Sequence, residues 1–213
     1  MKLSSFWKSW LGLWLLLSTA LAARFAAFSV EPFGPQRVNL DTGVTTLPQG
    51  GVLTDNETGL RLKGQFMEYR EGDFIYLRRG EMASEAYAIT AAELRLNIPK
   101  QMAIIDGLSL SHALFSELQI KKAYFFLAEN ILVGTEDIRG RKPVLEAQRI
   151  VIDIKAKNAL VIGDFVFRQQ GSALQGKGTQ SRLFLSMAGN TLRGTTRIPP
   201  EAATLETWLK RVP

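Results

Sequence analysis

Six glycines lie at nearly equal intervals along this chain, each just after a short apolar run: Gly51, Gly80, Gly107, Gly134, Gly163 and Gly194. Their spacings are 29, 27, 27, 29 and 31 residues. Tight-turn signals keep step ahead of them: Asp41-Thr42-Gly43, Glu71-Gly72, Pro99-Lys100, Glu129-Asn130, Lys157-Asn158 and Gly189-Asn190. A fixed period of this length marks a repeated supersecondary unit. Each unit reads as strand, tight turn, strand, glycine, strand. The clearest copy is Leu145–Phe167, LEAQRIVIDIKAKNALVIGDFVF. There Ile150, Ile152 and Ile154 alternate with Val151, Asp153 and Lys155, and after the glycine Phe165 and Phe167 face one way. Leu94, Leu96 and Ile98 alternate in the same manner with Glu93, Arg95 and Asn97, and Leu108 and Leu110 with Ser109 and Ser111. Period two with one apolar face is the signature of a half-buried strand.

Helical periodicity is weak from Val38 to Ile198, and the runs are rich in β-branched and aromatic residues. Consecutive hairpins predict one antiparallel sheet folded over on itself. The recurrent glycine marks the bend or bulge where the sheet turns its corner. The predicted fold is therefore all-β: an elongated antiparallel β-jelly roll or flattened tube, built from 27–31-residue hairpin repeats around a single apolar interior. Its edges are expected at Arg37–Leu40, continuing through Val44, and at Leu192–Ile198.

The two ends of the chain differ from the body. Pro199-Pro200 stops the strand pattern, and Glu201–Lys210 suits a short helix with Leu205, Trp208 and Leu209 on one face. Such a helix would cap an open end of the roll, or touch a membrane or partner through Trp208 and Lys210. At the other end, Lys2 and Lys8 precede an uncharged run, Ser9–Ala23, interrupted at Arg24 before Phe25–Val30. A cleaved signal peptide ending at Ala20-Leu21-Ala22 is one reading. An uncleaved anchor is the other. Fifteen residues span only about 22 Å as a helix, so an anchor would have to run on to Val30 with Arg24 snorkelling. Either way the positive start stays inside and the body is exported. The division is thus 1–30 for signal or anchor, 31–198 for the roll and 199–213 for a short helical tail.

Composition narrows the chemistry. With no cysteine there is no disulfide, thiolate nucleophile, cysteine-ligated metal or acylated-cysteine anchor. The one histidine, His112 in SLSHALF, cannot form a His-His metal site, and its serine neighbours sit on the opposite face of a strand. It reads as a surface or loop histidine. Asp55-Asn56-Glu57 and Glu136-Asp137 lack metal-ligand spacing. There is no P-loop, GxGxxG or GxSxG, so neither metal nor cofactor is expected and the chain does not read as an enzyme. The balance of 26 Lys+Arg against 20 Asp+Glu is +6, or +4 once Lys2 and Lys8 are set aside. The pairs Arg78-Arg79 and Lys121-Lys122 are isolated, unlike the dense basic stripe of a nucleic-acid binder. The excess suits an anionic lipid or membrane surface.

The repeat resembles the OstA-type fold of the lipopolysaccharide-export proteins, the periplasmic bridge family. The resemblance spans Arg37–Ile198. It rests on Gly59–Gly107 and is clearest in Ala88–Gly107 (AITAAELRLNIPKQMAIIDG) and Leu145–Gly163 (LEAQRIVIDIKAKNALVIG). Leu118–Gly134 (LQIKKAYFFLAENILVG) is a weaker copy. It implies an open-ended jelly roll that shields acyl chains, and edge-to-edge stacking with other jelly-roll transport proteins into a bridge between two membranes. The family includes both a secreted component and an inner-membrane-anchored one. An inner-membrane ABC transporter is the implied energy source, since the chain has no nucleotide motif.

Physically, an acyl lipid cannot cross water unaided, because each exposed CH₂ costs about 0.8 kcal/mol. The lipid-facing positions expected from the apolar faces of the strands are Leu94, Leu96, Leu108, Leu110, Ile120, Phe126, Ile150, Ile152, Ile154, Phe165, Phe167, Leu183 and Leu185. The same residues would serve as plain core in a structural repeat protein that scaffolds or polymerises without lipid, and that alternative stays open.

Overall fold

The computed structural model describes residues 28–212, and the signal or anchor expected at the N-terminus lies outside it up to Ala27. Fifteen strands form one sheet, with all the pairings antiparallel. At its heart is a run of long neighbouring strands. These are β5 (Arg61–Arg70), β6 (Phe74–Ala83), β7 (Tyr87–Asn97), β8 (Met102–His112), β9 (Phe115–Phe126), β10 (Ile131–Arg141), β11 (Val144–Asp153) and β12 (Asn158–Gln169).

The periodic glycines fall inside these strands rather than after them. Gly80, Gly107, Gly134 and Gly163 sit midway along β6, β8, β10 and β12. What the sequence shows as strand, glycine, strand is one bent strand. The reason for glycine differs by position. Gly107 and Gly163 take φ of +63° and +91°, a region that side chains disfavour. Gly134 is extended, but a Cβ there would lie 2.9 Å from Ile120 Cδ1 and 3.0 Å from Ile150 Cγ2. At this bend the isoleucines of the two flanking strands, β9 and β11, leave no room for a side chain on β10.

One row of turns matches the sequence signals and repeats in detail. Gly72, Gln101, Asn130 and Lys157 all take positive φ, one per unit. The turns are hydrogen-bonded to one another in series. Ile98 N donates to Asp73 O (2.8 Å), Leu127 N to Gln101 O (2.9 Å) and Ile154 N to Asn130 O (3.0 Å). Strand-end side chains close them, Asn97 Oδ1 accepting from Lys100 N at 2.8 Å and Asp153 Oδ1 from Ala156 N at 2.7 Å. A second row of turns, at Ser84–Ala86, Ala113-Leu114, Lys142-Pro143 and Gln170-Gly171, occupies the opposite strand ends. It carries few of the residues that mark turns in a sequence.

The edges differ from those expected. Arg37–Leu40 and Val44 do not form one strand. Asn39 Oδ1 accepts from the backbone N–H of Asp41 and Thr42 and breaks it into β2 (Arg37–Asn39) and β3 (Val44–Leu47). Beyond them β1 (Phe28–Pro32) pairs with β4 (Gly51–Asp55), so strand pairing includes Phe28–Val30, inside the segment assigned to the leader. An apolar helix running to Val30 is incompatible with that pairing. At the far end β13 (Ser172–Gly176) pairs with β12, β14 (Arg182–Ala188) follows β12 in the ladder, and β15 (Thr191–Thr195) ends it.

The terminal helix α1 (Pro200–Thr207) and a 3₁₀ turn at Trp208–Lys210 do not cap an open end. They lie on the outer face of the sheet. Ala202, Leu205 and Trp208 cover an apolar stripe formed by Tyr124, Val133, Val151, Leu160, Ile162 and Phe184. Arg182, largely buried, pins the helix through Glu206 at 2.6 Å. Proline starts the helix and Leu205, Trp208 and Leu209 share its face, as the sequence predicts.

If close approach is what excludes side chains at the bend, Gly134→Val destabilises the fold by about 1–3 kcal/mol. Urea unfolding reads this directly. An unchanged midpoint would mean that Ile120 and Ile150 are not packed at this point.

Candidate functional site: the interior and its seam

The interior is one continuous apolar core running from Leu47 on β3 to Leu185 on β14. Twelve of the thirteen residues expected there face it: Leu94, Leu96, Leu108, Leu110, Ile120, Ile150, Ile152, Ile154, Phe165, Phe167, Leu183 and Leu185. None is more than 4% exposed. Their burial shows that the interior is closed to water.

Phe126 is the exception. It faces outward and stacks on Trp208 with ring centroids 4.9 Å apart. The physical cause is the bend. On β9 two successive residues, Lys121 and Lys122, take the outer side of the corner, so that both Ile120 and Ala123 point inward. Past that point the inward set is Ala123 and Phe125, and strict alternation from Ile120 chooses the wrong face. The same inversion occurs on β8, between Ile105 and Leu108. Core residues that the sequence reading passed over include Ile105, Leu118, Phe125, Leu132, Ile138 and Leu145. Counting alternation separately on each side of the periodic glycine would have found most of them.

Because the sheet is folded over, the two rows of strand ends meet along a seam opposite the bends. Tyr87 and His112 are paired neighbours at one end of β7 and β8. Phe125 and Ile154 lie near the other end of β9 and just after β11. The Tyr87 and Phe125 rings pack edge to face at 5.3 Å. Burial pushes the Tyr87 phenol up to about 12, with Ser84 opposing that shift. His112 is 8% exposed, not a surface or loop residue. Its Nε2 lies 3.0 Å from Ile154 O, and its Nδ1 accepts from Leu114 N at 3.4 Å. That pattern requires a neutral imidazole with the proton on Nε2. Burial lowers its pKa, with Lys157 adding to the effect, against the hydrogen bond to Ile154 and the charge of Asp153.

Further along, the rows part. Ala113, Lys142, Gln169 and Gln170 from one row face Met187, Asn190 and Leu192 from the turn between β14 and β15 across a groove of about 530 Å³. The outer face carries a second groove, about 460 Å³, lined by Tyr76, Arg95, Met102 and Ile104. Among the described residues no group of three histidines or acids could hold a metal ion. Asp55 instead closes a turn, accepting from Glu57 N at 3.0 Å and the Thr58 hydroxyl at 2.6 Å.

No protein-family model matches the chain, and no curated protein matches it. Among solved structures it is similar to LptH of Pseudomonas aeruginosa, the periplasmic LptA homologue of a lipopolysaccharide transport device. The identity is 12% and the TM-score 0.38, over 84% of this chain and 99% of that one.

A neutral histidine holding the seam has a pH signature. The unfolded chain takes up the proton near the ordinary value of 6.5, the folded chain only below it. The stabilising neutral form is fully present above 6.5, and stability falls as the pH drops through and below that value. Melting temperatures between pH 8 and 5 should show this loss in the native chain and less of it in His112→Gln. Superimposable profiles would remove His112 from the seam's energetics.

Proposed function

We propose that this chain is a periplasmic carrier or bridge component in the transport of lipopolysaccharide or a related glycolipid toward the outer membrane, and that it acts by shielding acyl chains rather than by covalent chemistry. The observation that carries the reading is the uninterrupted apolar interior beneath a single lengthwise seam. An acyl chain that replaces wall-to-wall contacts with wall-to-chain contacts keeps the core dry while the polar head stays in water. The seam contacts among the described residues, two ring pairs (Phe28 with Tyr69 and Tyr87 with Phe125) and one hydrogen bond to a histidine, are few enough to part. The twelve inward residues from Leu94 to Leu185 are the proposed lipid contacts, and Phe126 is not among them. Energy would come from an inner-membrane ABC transporter. The N-terminal segment would place the body in the periplasm, either released by cleavage or held at the inner membrane by an anchor that ends before β1.

Neighbouring jelly rolls would join by strand addition at the free edges, β1 and β2 at one end and β15 at the other. The alternative is an envelope scaffold with the same edges and a permanently closed interior. It is favoured by how tightly the walls pack.

Photo-reactive residues at Ile152 and Phe165 in the full chain, in cells, separate the two. A carrier gives products with acyl lipid; a scaffold gives only cross-links within the protein. The same reporter at Val38 or Thr195 should capture a neighbouring subunit or partner, and failure at both positions would remove edge pairing from the account.

A further inference from the structure

The groove where the seam parts has a chemistry that the closed seam lacks. Three cations stand around it: Arg141 at the end of β10, Lys142 in the following turn and Arg168 on β12. All three are exposed. Arg141 is held by Glu117 at 3.4 Å, whereas Lys142 and Arg168 have no ion-pair partner among the described residues. The floor is apolar. Leu114 belongs to the interior core, and Met187 and Leu192 pack against that core from the opposite row. Pro143 and half-exposed Val144 extend the apolar rim. Gln169, Gln170 and Asn190 add neutral polar groups at the mouth.

Cations at the rim and a floor continuous with the core form an amphiphilic site. We infer that this groove is the docking site for the anionic head group, a phosphate monoester or carboxylate, of a single-chain or multi-chain amphiphile. Lys142 and Arg168 contact the anion, and the chain enters between Leu114 and the Met187–Leu192 wall. The guanidinium of Arg168 can engage a phosphate through two parallel N–H groups, and Lys142 supplies a compact charge beside it. The site deepens the carrier reading by giving the lipid a polarity: the head is retained at the β14–β15 end while the chain lies under the seam. It rests on that reading only for where the chain goes, since head-group binding stands on the groove itself.

The test uses two photo-reactive probes with the same dodecyl chain, one ending in phosphate and the other in neutral maltoside, titrated against membranes containing the full chain. The phosphate probe should label the protein near Leu114 and Met187. Lys142→Gln with Arg168→Gln should raise its half-saturating concentration about tenfold or more. Labelling by the maltoside probe should not change, which also reports that the double variant is folded. Millimolar inorganic phosphate should compete poorly. Equal labelling by the two probes, or no effect of the double variant on the phosphate probe, would overturn the inference. So would full displacement by inorganic phosphate, which would leave a free-anion site. If the phosphate probe behaves as expected while Ile152 and Phe165 capture no lipid, the head-group site stands and the interior carrier reading falls. If maltoside alone labels the interior, the reverse holds.

Discussion

Everything in this molecule depends on a bend placed halfway along each strand. A flat antiparallel sheet of this length would expose one apolar face over its whole area. Bending every long strand at the same level lets the sheet cover that face with itself. The bend needs close approach or positive φ, and glycine provides for both at Gly134 and Gly107. The turns on one side are coupled in series through the bonds from Ile98, Leu127 and Ile154, so each unit fixes the next. A roll of this kind has no natural length limit, which is why its ends matter. Among the described residues they are free strands, not caps, because the C-terminal helix lies on the outer face.

The same bend creates the seam, and the seam decides whether the interior is core or conduit. Burial of about twelve methylenes is worth roughly 10 kcal/mol relative to water. Parting two walls that already touch forfeits a comparable contact only if nothing replaces it. A bound acyl chain would replace it, so the net cost of opening would be set mainly by the polar and aromatic contacts that span the gap. Among the described residues those are His112 with Ile154, Tyr87 with Phe125 and Phe28 with Tyr69, while the stretch toward β14 and β15 is already parted. A neutral buried histidine makes the closed stretch sensitive to acid.

The period of the glycines, the upper turns and the alternation of Ile150, Ile152 and Ile154 were all readable in the sequence, because each depends on local backbone needs or on burial at period two. The faces past the bend were not. At Lys121-Lys122 the corner inverts the alternation, and Phe126 passes from expected interior to actual exterior for that reason. The second row of turns was hidden because Ala113-Leu114 and Lys142-Pro143 are held by long-range pairing more than by turn-forming residues. The seam was hidden as well, since His112 and Ile154 are brought together only by folding the sheet over. A lone histidine between serines gives no hint that its partner lies on another strand's end. Pro199-Pro200 announced the helix, but which surface it covers depends on Tyr124, Val151 and Phe184, whose outward face follows from the same inversion.

If lipid enters by parting the seam, the absence of native cysteine allows a direct test. Cysteines at the exposed positions Ala113 and Lys155 flank the His112–Ile154 contact. A short bis-maleimide across them would tie the two rows together without touching the interior. Uptake of a photo-reactive acyl lipid into the full chain should then be lost in the cross-linked protein and kept in the same variant before cross-linking. Equal uptake in both would contradict the account, because it would mean that chains reach the interior without the seam opening, or never lie there at all.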